Sequence, residues 1–94
     1  MKAARADANQ PAIVAAWRNV GATVTLLHRV GMGCPDALVG YRGINYLAEI
    51  KDGAKPPSAR TLTPLQVDWH RDWRGTVYVV KDVTEALGML GIGE

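Results

Sequence analysis

The chain reads as an α/β domain: a mixed four-stranded sheet flanked by helices, in the order α-β-β-β-α-β-α. Three observations carry this. Apolar residues recur at helical spacing near each end of the chain and once in the middle. Short runs rich in β-branched residues, bounded by glycine and proline, recur between them. The middle helix separates the third strand from the fourth, so the last connection is a crossover and the sheet is mixed. Ninety-four residues suit one domain, residues 1–94, with a modest core.

The elements follow in order. Residues 9–20 predict a helix with Asn9 as N-cap and Pro11 in the first turn. Ile13, Ala16, Trp17 and Val20 form its apolar stripe, and Gly21 stops it. Residues 22–27 predict the first strand. Gly31-Met32-Gly33-Cys34-Pro35 is a loop, and residues 37–51 form a hairpin that turns through Arg42-Gly43-Ile44-Asn45. A polar loop with two prolines, Asp52 to Arg60, follows. Thr63-Pro64-Leu65-Gln66 is a capping-box start for a helix running to about Trp73. Residues 76–80 are the clearest strand. A short helix over about 83–90 turns Leu87 and Leu90 inward, and residues 88–94 are expected to fray.

Composition excludes more than it assigns. There is no apolar run long enough to span a bilayer, and the basic start at Met1-Lys2 leads into no apolar secretion segment. Cys34 is the sole cysteine, so no internal disulfide or cysteine-rich zinc site can form, and a reducing cytoplasm is the natural setting. The net charge of +2 proves no partner. Gly31-x-Gly33 opens no helix and is not read as a nucleotide loop. His28 and His70 have no metal-ligand spacing to each other or to Cys34, and His70 is read as a surface or packing residue. Trp17, Trp69 and Trp73 are read as core or dimer-interface residues, the last two as one stripe, four apart.

The hairpin carries the chemistry. Glu49 and Lys51 are two apart and share a face, while Tyr46, Ala48 and Ile50 form the other. A loop of 43–44, or of 42–45, sets Arg42 opposite Asn45. Asp36 then falls opposite Lys51 and diagonal to Glu49, roughly 7–8 Å away at the backbone. A three-residue loop would turn Asp36 to the wrong face. Two carboxylates and a lysine on one face can hold a hard divalent cation beside a water and a phosphate, which is nuclease chemistry.

Pro35-Asp36 followed by Glu49-Ile50-Lys51, inside this element order, resembles the PD-(D/E)XK nuclease superfamily with its restriction-endonuclease-like core. Gly33-Cys34-Pro35-Asp36, Glu49-Ile50-Lys51-Asp52-Gly53 and Thr63-Pro64-Leu65-Gln66 together resemble a stand-alone VRR-NUC domain of phages and bacteria, over about residues 9–86. The resemblance implies a structure-selective DNA endonuclease that resolves four-way (Holliday) junctions as a homodimer, with no nucleotide cofactor and no membrane. It implies Mg²⁺ or Mn²⁺ held by Asp36, Glu49 and the Ile50 carbonyl, Lys51 orienting or deprotonating the attacking water, and Gln66 beside the site. Related resolvases carry a glutamate near the start of the first helix. Here the matching position is Gln10, a departure that bears on a second metal site. Lys55, Ser58 and Arg60 in the proline-stiffened loop, with Arg29 and Arg42, are the candidate DNA contacts. The alternatives are a flap or nicking nuclease, a nuclease-fold DNA-binding module with weak or no hydrolysis, and a scaffold with no nucleic-acid role.

Overall fold

The protein is described from a computed structural model, over residues 7–93. The N-terminal residues read above for a secretion signal, and the last residue of the expected frayed tail, lie outside that span. Seven regular elements and a short 3-10 turn appear in the expected order: α1 (Gln10–Asn19), β1 (Thr23–Leu26), β2 (Ala37–Tyr41), β3 (Ile44–Ile50), the 3-10 turn Pro57–Ala59, α2 (Pro64–Asp72), β4 (Val77–Val80) and α3 (Val83–Met89). The sheet order is β1-β2-β3-β4. The first three strands are antiparallel neighbours, and β4 runs parallel to β3 after the α2 crossover. The sheet is therefore mixed, as a helical crossover requires.

Alternation along the strands sorts the two faces. Ala37 and Val39 of β2, Ala48 and Ile50 of β3 and Val80 of β4 are buried together against Ile13, Val14 and Trp17 of α1 and Ala86 of α3. Trp17 is fully enclosed, and its indole N–H donates to the Ala86 carbonyl at 2.9 Å, so the one polar atom of this core residue is satisfied. α1 ends as its glycine predicts. Gly21 sits at φ +95°, and the Ala22 and Gly21 amides donate back to the Trp17 and Arg18 carbonyls at 3.0 Å, closing a Schellman motif.

Three sequence expectations need correction here. Asn9 does not cap α1 with its side chain. Its amide nitrogen instead donates to the Lys51 and Lys81 carbonyls, each at 3.0 Å, pinning the start of α1 to the ends of both parallel strands. The hairpin turn is two residues, Arg42-Gly43, with Ile44 and Asn45 already in β3. Arg42 at φ 49° and Gly43 at φ 80° both take positive φ, the signature of a tight type I′-like connection whose twist suits a hairpin. The chain end is not loose from Gly88. α3 continues to Met89, Leu90 is buried in the core, and Ile92 packs against it.

α2 differs from the other two helices. It buries none of its residues. Thr63 caps it as predicted, its hydroxyl accepting from the Gln66 amide at 3.3 Å while the Gln66 side chain accepts from the Thr63 amide at 2.9 Å. What seats the helix is Gly33. A β-carbon at that position would lie 2.2 Å from the Leu65 carbonyl oxygen, and its φ of +82° already suits glycine. The loop before β2 and the first turn of α2 therefore meet backbone to backbone. Trp69 and Trp73 stack with ring centroids 4.7 Å apart, and Trp73 is exposed, so it is not a core residue.

Candidate active site

The register of β2 and β3 builds the site. Ala37 pairs with Ala48, so one step further Asp36 stands across from Glu49 rather than from Lys51. The expected register is off by two residues because the turn is Arg42-Gly43. An even shift keeps every side chain on its predicted face. The effect is to bring the two carboxylates closer than a diagonal placement would.

Asp36 is tied down twice. Its carbonyl accepts from Leu27 N at 2.7 Å, and its Oδ2 accepts from Ile50 N at 2.7 Å. Pro35 before it is fully buried. The Pro-Asp step is thus a fixed strand entry rather than a free turn.

Glu49 is 1% exposed, on the face opposite the apolar core. Its Oε2 accepts from Gln66 Nε2 at 2.9 Å and lies 3.8 Å from Lys51 Nζ. Its Oε1 is buried with no hydrogen-bond partner. Burial chiefly, then the nearby charge of Asp36, push the Glu49 carboxyl up to about 8, against a smaller opposing pull from Lys51. Two carboxyl groups so close cannot both stay ionised cheaply without added positive charge.

Lys51 follows the last residue of β3, and its amide extends the parallel ladder by donating to the Val80 carbonyl at 2.9 Å. Its ammonium donates to Gln66 Oε1 at 2.8 Å. Gln66 therefore does two jobs at once. It completes the α2 cap, and it links Lys51 to Glu49 through opposite ends of one amide.

Two neighbours were missed from sequence. His70 lies four residues after Gln66 on the same helix face, and its Nε2 is 4.0 Å from Glu49 Oε1. Burial first and Lys51 second push the His70 ring down from its ordinary value, favouring its neutral form. The spacing to Gln66, not to another histidine, was the available signal. Asp7, just before α1, has its carboxylate 4.0 Å from Lys55 Nζ, and its negative charge reaches Glu49. No sequence pattern marked it. Burial, followed by the charges of Glu49 and Asp36, pushes the Cys34 thiol up, leaving it a poor nucleophile.

The remaining candidates scatter. Gln10 is buried in the first turn of α1 with its Oε1 unpartnered, and no hydrogen bond among the described residues joins it to Asp36 or Glu49. Arg60 Nε donates to the Lys55 carbonyl at 2.8 Å, bracing the loop from within, while Ser58 sits on the exposed 3-10 turn. Arg29 is in the exposed turn after β1. Arg42 lies over the Tyr41 ring at the hairpin tip, six extended residues or ~20 Å from Asp36. It is not brought to the site.

The donor set fits a hard divalent cation. Two opposed carboxylates, one with a buried oxygen lacking a partner, offer oxygen ligands to an ion that keeps several waters. Among the described residues no three Asp, Glu, His or Cys side chains converge as a ready-made cage. Such an ion would thus be held by few protein groups, as magnesium at phosphate sites usually is.

The chain is similar to a solved structure described as a VRR_NUC domain, at 26% sequence identity and a TM-score of 0.64, over 87% of this chain and 89% of that one. No protein-family model and no curated protein sequence matches. Among the described residues, no helix is long and apolar enough to cross a membrane.

Proposed function

We propose that this chain, similar over 87% of its length to a VRR_NUC domain structure, is a nuclease domain and acts as a Mg²⁺- or Mn²⁺-dependent DNA endonuclease. The observation that carries this is the Asp36–Glu49 pair, with a buried, unpartnered oxygen on Glu49 and Lys51 held beside it by Gln66. Asp36, Glu49 and the Ile50 carbonyl would hold the ion. When bound, it lowers the pKa of a water and neutralises charge on the phosphoryl oxygens.

The protein's own groups do the rest. Asp36 is fixed by the Ile50 amide, so the carboxylate does not wander when a phosphate arrives. Gln66 keeps Glu49 Oε2 occupied, which leaves Oε1 as the free ligand atom. Lys51 Nζ lies at the edge of the carboxylates; as an ammonium it would orient the attacking water, and as the neutral amine it would take its proton. Lys55, Ser58 and Arg60 sit in the loop that leaves the catalytic strand, and with Arg29 they would contact the DNA backbone.

Family resemblance extends the reading to branched DNA. We take four-way junctions as the preferred substrate and a homodimer as the active form, since two sites about a two-fold axis give paired cuts. Exposed Leu65 on α2 and Trp73 just after its end, with Met32 beside them, supply apolar surface for a second copy.

The test is cleavage of a labelled four-way junction, a flap and linear duplex with Mg²⁺ or Mn²⁺, using wild type and Glu49→Gln. Paired junction cuts that vanish in the variant support the whole reading. Flap cuts alone keep the nuclease and change its substrate. Metal-independent cleavage, or none, would overturn it.

A further inference from the structure

Glu49 Oε1 and His70 Nε2 are both buried, and neither has a hydrogen-bond partner. They face each other across 4.0 Å. Each such atom is costly alone, and two pointed at one another mark a place for a third group. The separation is too long for a hydrogen bond. It lies between the two distances that ligands of one octahedral ion take at bond lengths of ~2.1 Å, about 3.0 Å for adjacent positions and about 4.2 Å for opposite ones, so a side-chain shift of less than about 1 Å would seat both on one ion.

The helix makes this placement deliberate in a physical sense. Gln66 and His70 are one turn apart on α2. Gln66 holds Oε2 of the same carboxylate, which turns Oε1 toward His70. The His70 ring meets the Trp69 ring edge-on at 6.2 Å, limiting its rotation. Gly33 lets the first turn of α2 sit close enough to the β2 entry for both side chains to reach β3.

We propose that His70 is a nitrogen ligand to the cation held at Glu49, the side chains closing on the ion from positions that, among the described residues, form no ready-made cage without it. The inference rests on the metal-dependent reading above and adds to it a donor that an all-oxygen site lacks. Mn²⁺ shares the oxygen preference of Mg²⁺ but, as a first-row transition ion, accepts an imidazole nitrogen more readily. The site should therefore gain more from His70 with Mn²⁺ than with Mg²⁺.

Pulsed electron paramagnetic resonance of bound Mn²⁺ tests it directly, on wild type, His70→Ala, His70→Gln and Glu49→Gln. Wild type should show nitrogen coupling of the imidazole type, and both His70 variants should lose it. By calorimetry, His70→Ala should lower Mn²⁺ affinity at least ~10-fold and Mg²⁺ affinity by clearly less. His70→Gln guards against a packing artefact, and unchanged thermal unfolding of both variants confirms the fold. Mn²⁺ bound in a Glu49-dependent way, but without nitrogen coupling, would overturn this inference and leave the nuclease reading standing. Mn²⁺ that binds wild type and Glu49→Gln alike would overturn both.

Discussion

Ile50 and Glu49 are chain neighbours on β3, each 1% exposed, and they face opposite ways. Ile50 enters the apolar cluster between the sheet, α1 and α3. Glu49 enters the side covered by α2, with one oxygen bonded, one unpartnered, and a carboxyl that burial and Asp36 push up to about 8. One face of the sheet is satisfied within the protein. The other lies under a helix none of whose residues is fully buried, and it keeps a buried carboxyl oxygen without a partner. The contrast teaches where stability and function separate: the core face holds the fold, and the other face gives up part of that stability to a buried carboxylate pair with an unpartnered oxygen.

Substitutions on the two faces should therefore fail in different ways. The largest effect falls on activity. Lys51→Ala should cut cleavage about 10²–10⁴-fold while leaving thermal unfolding nearly unchanged, read by single-turnover kinetics beside a melt. Full activity would remove the lysine from the mechanism. Ile50→Ala should do the reverse, lowering unfolding free energy by about 2–5 kcal/mol in a denaturant titration. Gln66→Ala lies between. Loss of the α2 cap should cost about 1 kcal/mol, and cleavage should fall as well because Lys51 and Glu49 lose their shared partner. A variant that lost stability alone would reduce Gln66 to a cap. The smallest effect is Lys55→Ala. Its pairing with Asp7 is half-exposed and 4.0 Å long, so stability should change by less than ~1 kcal/mol, while DNA binding weakens and its salt dependence flattens.

Much of this was legible in the sequence, for reasons that are local. Strand alternation placed Glu49 and Lys51 on one face and Ala48 and Ile50 on the other. Thr63-Pro64-Leu65-Gln66 announced the start of α2, and Gly21 the end of α1. What stayed hidden was tertiary. Arginine rarely takes positive φ, so Arg42-Gly43 did not read as a two-residue turn, and the register came out two residues off. Asn9 looked like a cap because its natural partners lie within three residues. Its real partners lie 42 and 72 residues away. Gly33 read as loop composition, yet its role is the close approach of the Leu65 carbonyl. His70 was weighed against other histidines, when the relevant distance was one helical turn from Gln66.

A cation at the proposed site would oppose the upward shift of Glu49, and the direction of that shift sets the sign of the expected pH response. The carboxyl's folded pKa of about 8 lies above the ordinary 4.5. The protonated carboxyl is thus favoured on folding. That contribution is fully present below about pH 4.5 and is lost as pH rises through about 8. The measurement is unfolding free energy from pH 5 to 9, with and without Mg²⁺, for wild type and Glu49→Gln. Wild type without metal should lose stability toward alkaline pH and regain it with Mg²⁺. Glu49→Gln should lose less with pH and respond little to the ion. Equal Mg²⁺ stabilisation of both proteins, or a wild type indifferent to pH and metal alike, would contradict the account.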